Sequence, residues 1–177
     1  MWFMYYDSNS GWMENNLQKV FEFDTVEDFW GLFYHLKSPI QLSNGRDLCL
    51  FKAGIKPVWE DENNVGGGSW AIQFTVRSEN RGNLAQIWVE ILLFAISNTI
   101  DENDENLSEE ICGVAVNVRG KIDRISLWTR NCKDRTSVLK IGQKLKSWLK
   151  YKSPLFYYSH DDMKNKSFDN PLYALTD

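Results

Sequence analysis

The chain has 177 residues, of which 43% are hydrophobic and 25% charged, and its net charge at neutral pH is −4. This mix excludes collagen, coiled coil and long-range disorder, and the length suits one domain with a core of its own. The longest uncharged apolar run, from Ile91 to Ile96, is far shorter than the roughly 20 residues of a transmembrane helix. We therefore expect a single domain over residues 1–177.

Cysteine usage indicates the compartment. The three cysteines, Cys49, Cys112 and Cys132, are an odd number without a CxxC spacing. This pattern favours a reducing compartment over a disulfide framework or a zinc site. The first residues also lack the basic-then-apolar pattern of a signal peptide. We expect a protein of the cytosol, or one shared between cytosol and nucleus.

The first half of the chain predicts three strands around one helix. Residues 17–23 and 47–52 are typical of strands, and residues 26–37 have apolar side chains at helical spacing before a Ser-Pro pair. Residues 54–68 contain a proline, four glycines and an acidic group, which predicts a loop. Strict alternation over residues 70–76 predicts a strand with Trp70, Ile72, Phe74 and Val76 on one face.

The second half predicts two helices and a hairpin. The spacing of apolar residues indicates helices from about residue 82 to 95 and over 134–149. Alternation indicates strands over 112–118 and 124–130, joined by a turn, and a last strand over 155–158. The acidic stretch 101–110 and the polar segment from His160 onward are expected to be loops.

The two faces of the hairpin differ in polarity. Cys112, Val114, Val116 and Val118 should share an apolar face. Period 2 places Asn117 with Arg119 on the other face of one strand, and Arg124, Ser126 and Trp128 together on the partner strand. Hairpins interleaved with three helices predict an α+β fold, in which helices cover one face of an antiparallel sheet. The polar face of the hairpin would then be accessible.

Few sequence features favour an enzyme. The chain has no GxSxG, HExxH or phosphate-loop pattern, and it has only two histidines, His35 and His160. The paired carboxylates mostly belong to acidic surface runs. We therefore expect no catalysis and no cofactor or metal.

Aromatic and basic residues favour binding. The chain has eight tryptophans, and Trp12 and Trp59 lie among polar or loop residues, where a ring has less structural reason to be. Such rings either fold back onto the core or clamp a planar base. A neighbouring carboxylate such as Glu60 can accept the N1–H and N2–H₂ groups of guanine, which adenine lacks. Eleven of the twenty Lys and Arg residues lie between residues 117 and 152. They either solvate a helix face or hold an anionic ligand.

Three long segments resemble one known family. FDTVEDFW over residues 23–30, LFKAGIKPVWEDE over 50–62 and ICGVAVNVRGK over 111–121 are similar to eukaryotic translation initiation factor 4E, the messenger-RNA cap-binding family. With Trp128 the resemblance extends from Trp2 to about His160. It implies a curved antiparallel sheet with three helices on its convex face and a cap-binding slot on its concave face.

The resemblance also implies roles for individual residues. In the cap slot, Trp12 and Trp59 would stack on the base, and Glu60 and Trp128 would recognise it. The phosphates would be bound by Arg119, Lys121, Arg124 and Asn117. A patch on the convex face would bind a helix of the scaffold factor 4G, or of a repressor, with the pattern Tyr-x-x-x-x-Leu-hydrophobic. Its residues would be Val26, Trp30, Val89, Glu90 and Leu93, of which Val26 and Leu93 could instead be core.

The function expected from the resemblance is binding of the 7-methylguanosine cap and recruitment of messenger RNA to translation initiation, by a chain that is monomeric on its own. The alternative is a cap-binding repressor or interaction module that engages the scaffold poorly. A cap-removing enzyme would need a metal-binding acidic helix, and the sequence has no such motif.

Overall fold

The structure is a computed structural model that describes residues 1–5, 16–75, 82–101, 106–165 and 170–176. Across these ranges, eight strands form one sheet in the order β2-β1-β3-β5-β6-β4-β7-β8, and every neighbouring pair is antiparallel. The strands are β1 (Trp2–Tyr5), β2 (Leu17–Lys19), β3 (Arg46–Phe51), β4 (Gly68–Thr75), β5 (Ile111–Val118), β6 (Ile122–Thr129), β7 (Leu155–Ser159) and β8 (Tyr173–Leu175).

Three long helices cover one face of this curved sheet. They are α1 (Val26–His35), α2 (Leu84–Ile96) and α4 (Arg135–Trp148). The described residues also form two short α-helices, α3 (Leu107–Glu110) and α5 (His160–Lys164), and two 3-10 helices, Pro39–Gln41 and Asn98–Asp101. The α+β prediction with three helices on the convex face is confirmed.

Side-chain caps define where two of the long helices begin. Thr25 accepts a hydrogen bond from the Asp28 backbone N–H, and Asp134 accepts one from Ser137. Both bonds satisfy N–H groups that have no partner inside the helix. At the other end, α1 stops at His35, ahead of the Ser38-Pro39 pair.

The main core lies between the sheet and the long helices. It contains Trp70, Ile72 and Phe74 of β4, as the alternation predicted, together with Phe29 of α1 and Trp88 of α2. Val76, predicted on the same face, lies outside the described residues. The Trp70 indole is fully buried and donates its N–H to the Val138 carbonyl of α4 at 3.0 Å, so this strand and helix are joined by a bond as well as by packing.

Three predicted elements differ from the structure. The strand predicted over 17–23 is only β2, because its pairing with β1 ends at Trp2 opposite Lys19. The stretch 101–110 contains the one-turn helix α3, which buries Leu107. The segment after His160, predicted to be a loop, contains α5 and β8.

A β-bulge corrects the predicted face of β5. The pairing with β6 shifts between Ile111 and Gly113, so Cys112 is the extra residue. Ile111 and Val114 therefore face the main core, whereas Cys112 joins a second apolar cluster with Ala115 and other residues of the opposite face. The prediction that Cys112 shares a face with Val114, Val116 and Val118 was wrong for this reason.

Candidate functional site on the concave face

Strand register arranges the concave face in rows. Asn117 of β5 pairs with Asp47 on one side and Arg124 on the other, which forms a polar row. Four residues further along β6, Trp128 pairs with Gly113 and Ser69. At about 3.3 Å per residue the two rows are about 13 Å apart. The face thus has a basic end and an aromatic end, and the prediction that Asn117, Arg124 and Trp128 share a face is confirmed.

Two tryptophans meet at the aromatic end. Trp128 is 8% exposed, and its ring lies 5.3 Å from that of Phe51 and 4.2 Å from the imidazole of His160. Trp59 follows β3 in the loop and is half-buried, packing against the same apolar cluster as Trp128 and against a smaller one around Tyr158. The loop ring therefore lies on the concave face. Its Nε1–H is buried without a hydrogen-bond partner.

Internal hydrogen bonds fix the loop that carries Trp59 and Glu60. Asn64 is fully buried and donates to the carbonyls of Lys56 and Val58, both at 2.8 Å. Asp61 accepts the backbone N–H groups of Lys56 and Asn63. Burial alone would raise the pKa of Asp61, but these hydrogen bonds outweigh it and lower the pKa. Asp61 thus shapes the loop, although the sequence suggests only an acidic surface group.

Glu60 faces a short helix that the sequence analysis missed. Its Oε1 lies 2.9 Å from the Lys164 ammonium at the end of α5, and this hydrogen bond lowers the pKa of Glu60. A cavity of about 270 Å³ lies between the loop and α5. It is lined by Trp59, Glu60, Val65, His160, Asp161 and Lys164.

His160 joins α5 to the loop and to Trp128. It is 2% exposed, its Nδ1 lies 2.8 Å from the Asn64 carbonyl, and burial lowers its pKa to about 4. Neutral imidazole carries one proton, which the carbonyl places on Nδ1, so Nε2 is an acceptor. Nε2 is buried without a partner. The sequence does contain one indication of α5, a serine followed three residues later by an aspartate. Ser159 caps the helix by accepting the Asp162 backbone N–H.

Two arginines form the basic end. The Arg119 guanidinium makes a two-bond ion pair with Asp47, which is 2% exposed. Burial lowers the pKa of Arg124, and the nearby positive charge of Arg119 lowers it further, although Tyr158 has the opposite effect. A bound anion would favour the charged form of Arg124 and so oppose both burial and the repulsion by Arg119. Lys121 is exposed in the β5–β6 turn, next to Gly120 at φ +75°. Trp12, the second predicted stacking ring, lies outside the described residues.

The predicted partner patch lies on the opposite, helical face. Val26 is 66% exposed, and Trp30, Val89, Glu90 and Leu93 are half-buried. Trp30 packs against Phe29, Phe33 and Tyr34 at 5.0 to 5.7 Å. The Trp148 indole of α4 donates to the Glu90 backbone carbonyl and carboxylate, both at 3.1 Å. Trp148 is therefore a neighbour of Glu90 that the sequence analysis missed.

The protein has a curved antiparallel sheet with helices on its back, and the open face of the sheet has an aromatic end and a basic end. This is the arrangement of a binding domain for a planar ligand that carries negative charge. Among the described residues, no helix has the length and apolar character needed to cross a bilayer.

Comparison with known proteins identifies the family. The sequence profile of eukaryotic initiation factor 4E matches residues 1–171, and the chain belongs to this family. It is 41% identical over 169 residues to eukaryotic translation initiation factor 4E of Aplysia californica, which covers 94% of this chain and 76% of the relative. It is 40% identical over 169 residues to the human factor, with 94% and 75% covered.

Solved structures agree with the family assignment. Ascaris suum eIF4E-3 in complex with an m2,2,7G cap has a TM-score of 0.88 at 40% identity, with 98% of this chain and 93% of that chain covered. Caenorhabditis elegans eIF4E-3, in complex with the 4E-binding protein Mextli and a cap analog, has a TM-score of 0.85 at 40% identity, with 98% and 94% covered.

Proposed function

We propose that this chain binds the 7-methylguanosine cap of messenger RNA on its concave face and recruits the RNA to translation initiation through a scaffold factor. The observation that carries the proposal is the pairing of an aromatic end with a basic end about 13 Å away on one sheet face. A capped RNA end has the same two parts, a planar base and a triphosphate.

The aromatic end suits a methylated base. Methylation at N7 makes guanine cationic, and a desolvated cation against an indole face gains about 2 kcal/mol or more. Trp59 is half-buried, so one part of its ring contacts the sheet while the rest stays accessible for stacking. Trp12 supplies the second face of the stack, and Trp128 contacts the methyl group. The Glu60 carboxylate accepts N1–H and N2–H₂.

The basic end suits phosphates. Three of the five N–H donors of Arg119 bind Asp47 and the Val118 carbonyl, which holds the guanidinium in place. Its remaining donors, together with Arg124 and Lys121, hold phosphate oxygens, and Asn117 binds in the same row. Charge-assisted hydrogen bonds of this kind are about twice as strong as neutral ones.

The helical face binds the partner. Val26, Trp30, Val89, Glu90 and Leu93 receive a helix of scaffold factor 4G, or of a repressor, with the pattern Tyr-x-x-x-x-Leu-hydrophobic. The half-buried Trp30 can pack against such a helix without leaving the core. The chain performs this role without catalysis, as a monomer and a single domain over residues 1–177, either in the cytoplasm alone or in both the cytoplasm and the nucleus.

Retention on a 7-methyl-GTP resin tests the proposal. The protein should bind, elute with 7-methyl-GTP and remain bound when plain GTP is added. Addition of a Tyr-x-x-x-x-Leu-hydrophobic peptide should form a ternary complex, since the two sites lie on opposite faces. A protein that does not bind the resin, or that elutes equally well with GTP, is not a cap-binding factor.

A further inference from the structure

The carboxylate that the proposed function assigns to base recognition already has a cation bound to it. Lys164 Nζ lies 2.9 Å from Glu60 Oε1, although the two residues are 104 positions apart in the chain. Their side chains are 49% and 47% exposed, so the pair lies at the rim of the site. The pKa of Glu60 is lowered chiefly by this bond, which means that the carboxylate is ionised and paired.

The backbone on both sides of this pair is well anchored. On the loop side, the buried Asn64 binds two loop carbonyls. On the α5 side, His160 donates its backbone N–H to the Gly67 carbonyl at 3.0 Å, and the Met163 sulfur accepts the Ser69 hydroxyl at 3.3 Å. The side chains of Glu60 and Lys164 are therefore the parts that can move while the cavity between them stays in place.

A bound guanine and the Lys164 ammonium compete for the same acceptor. The base offers N1–H and N2–H₂ toward the carboxylate, which needs both oxygens for a two-bond contact. The ammonium occupies Oε1 and lines the same 270 Å³ cavity. A cationic 7-methylated base would also be repelled by an ammonium held at that position.

We propose that Lys164 is a latch on the cap slot, one that holds Glu60 in the ligand-free protein and is displaced from the carboxylate when the base binds. This inference rests on the proposed function. Displacing Lys164 from Glu60 costs the free energy that this exposed ion pair contributes, which is small. The latch therefore lowers the affinity for guanine by a modest factor of about two to five. A base that does not use Glu60 leaves the latch closed and does not incur this cost.

Lysine-to-methionine substitution tests the latch, because methionine keeps an unbranched apolar side chain and removes the charge. Lys164→Met should bind 7-methylguanosine about two- to fivefold more tightly than the parent, measured by tryptophan fluorescence. The nucleoside is the probe because, without phosphates, it avoids the basic end. Lys164→Arg keeps the charge and should retain the affinity of the parent. Lys56→Met is the matched control, since it removes an exposed lysine from the same loop and should leave the affinity unchanged.

A double-mutant cycle tests whether the effect passes through Glu60. In a Glu60→Gln background, Lys164→Met should change 7-methylguanosine affinity by less than the error of the measurement, because the charged pair is already absent. Without ligand, NMR titration of the Glu60 carboxyl should show its pKa rising toward the ordinary value in Lys164→Met.

The outcomes separate the latch from the proposed function. If the parent binds the methylated base but Lys164→Met binds it equally or less tightly, the latch is wrong and cap binding stands. An equal gain with Lys56→Met would mean a general charge effect and would also overturn the latch. If the parent does not bind 7-methylguanosine or 7-methyl-GTP, both proposals fall.

Discussion

The Arg119 guanidinium donates two hydrogen bonds to the Asp47 carboxylate, Nη1 to Oδ1 at 2.5 Å and Nη2 to Oδ2 at 2.9 Å. Asp47 is 2% exposed, whereas the arginine side chain is 45% exposed. Burial favours the neutral arginine, but Asp47 more than offsets it and raises the pKa of Arg119. The buried acid therefore orients a cation that remains within reach of a ligand.

Asp47→Asn should weaken phosphate binding selectively. The amide keeps the volume and one acceptor but loses the charge and one bond, so Arg119 is held less well. We expect affinity for 7-methyl-GTP to fall by about 1 kcal/mol, or roughly fivefold, while affinity for 7-methylguanosine stays the same. Fluorescence titrations with both ligands measure this, with the exposed Asp24→Asn as control. An equal loss with both ligands would mean that Asp47 supports the fold rather than the phosphate contact.

Trp59→Ala should reduce 7-methyl-GTP affinity at least tenfold, because base stacking on an aromatic ring contributes about 1–3 kcal/mol. The half-buried ring also packs on the sheet, so some stability will be lost, but less than in Trp70→Ala, where a fully buried ring is removed. Trp148→Ala on the helical face is the affinity control. Equal affinity of Trp59→Ala and Trp148→Ala would remove Trp59 from the site.

Local pattern predicted the elements whose side chains repeat regularly. Alternation in β4 placed Trp70, Ile72 and Phe74 in the core. The spacing of apolar residues over 134–149 predicted α4, and its Ile141 lies in the same core. The bulge at Cys112 was missed because no local residue type indicates an inserted residue. The insertion moves the side chains that precede it to the opposite face of the sheet.

Contacts between distant segments could not be predicted in this way. The pairs Glu60–Lys164 and Arg119–Asp47 join residues 104 and 72 positions apart. Such pairs depend on strand order and on where α5 lies, neither of which follows from periodicity. The family resemblance predicted Glu60 and Arg119 as site residues, but it did not predict that Lys164 and Asp47 bind them.

Glu60→Gln should weaken binding of 7-methylguanosine by at least about 1 kcal/mol, or roughly fivefold. The amide has nearly the same shape, but one acceptor becomes a donor that faces an N–H of the base. Glu62→Gln, an exposed acid in the same loop, is the matched control and should bind as the parent does. Calorimetry or fluorescence can measure both variants. Parent-like affinity of Glu60→Gln would contradict the guanine-reading role.

Stability should fall between pH 7 and pH 5 because of His160. Burial lowers its pKa from about 6.5 to about 4 in the folded chain, so the unfolded chain takes up a proton first as the pH falls. The contribution is present above pH 6.5 and is lost as the pH falls toward 4, by about 2 kcal/mol at pH 5. Denaturant unfolding at both pH values measures it. His160→Gln cannot titrate and should show a flatter dependence, whereas an unchanged dependence would assign the effect to other groups.

Trp30→Ala separates partner binding from cap binding. Trp30 is half-buried among Phe29, Phe33 and Tyr34, so its removal should cost less than the roughly 3–5 kcal/mol of a fully buried aromatic residue. Binding of a Tyr-x-x-x-x-Leu-hydrophobic peptide should be lost, because a ring on the exposed side of α1 is the type of anchor that dominates such interfaces. Affinity for 7-methyl-GTP should stay the same, since the slot lies on the other face of the sheet.

The control for Trp30→Ala is its neighbour on the same helix. Phe29 is 1% exposed, and Phe29→Ala should cost the full 3–5 kcal/mol and weaken peptide and cap binding together, because it loosens α1 on the sheet. Denaturant unfolding, a peptide titration and a cap titration on each variant distinguish the two roles. If Trp30→Ala behaves like Phe29→Ala in all three measurements, Trp30 is a core residue. The helical face would then bind its partner mainly through residues of α2.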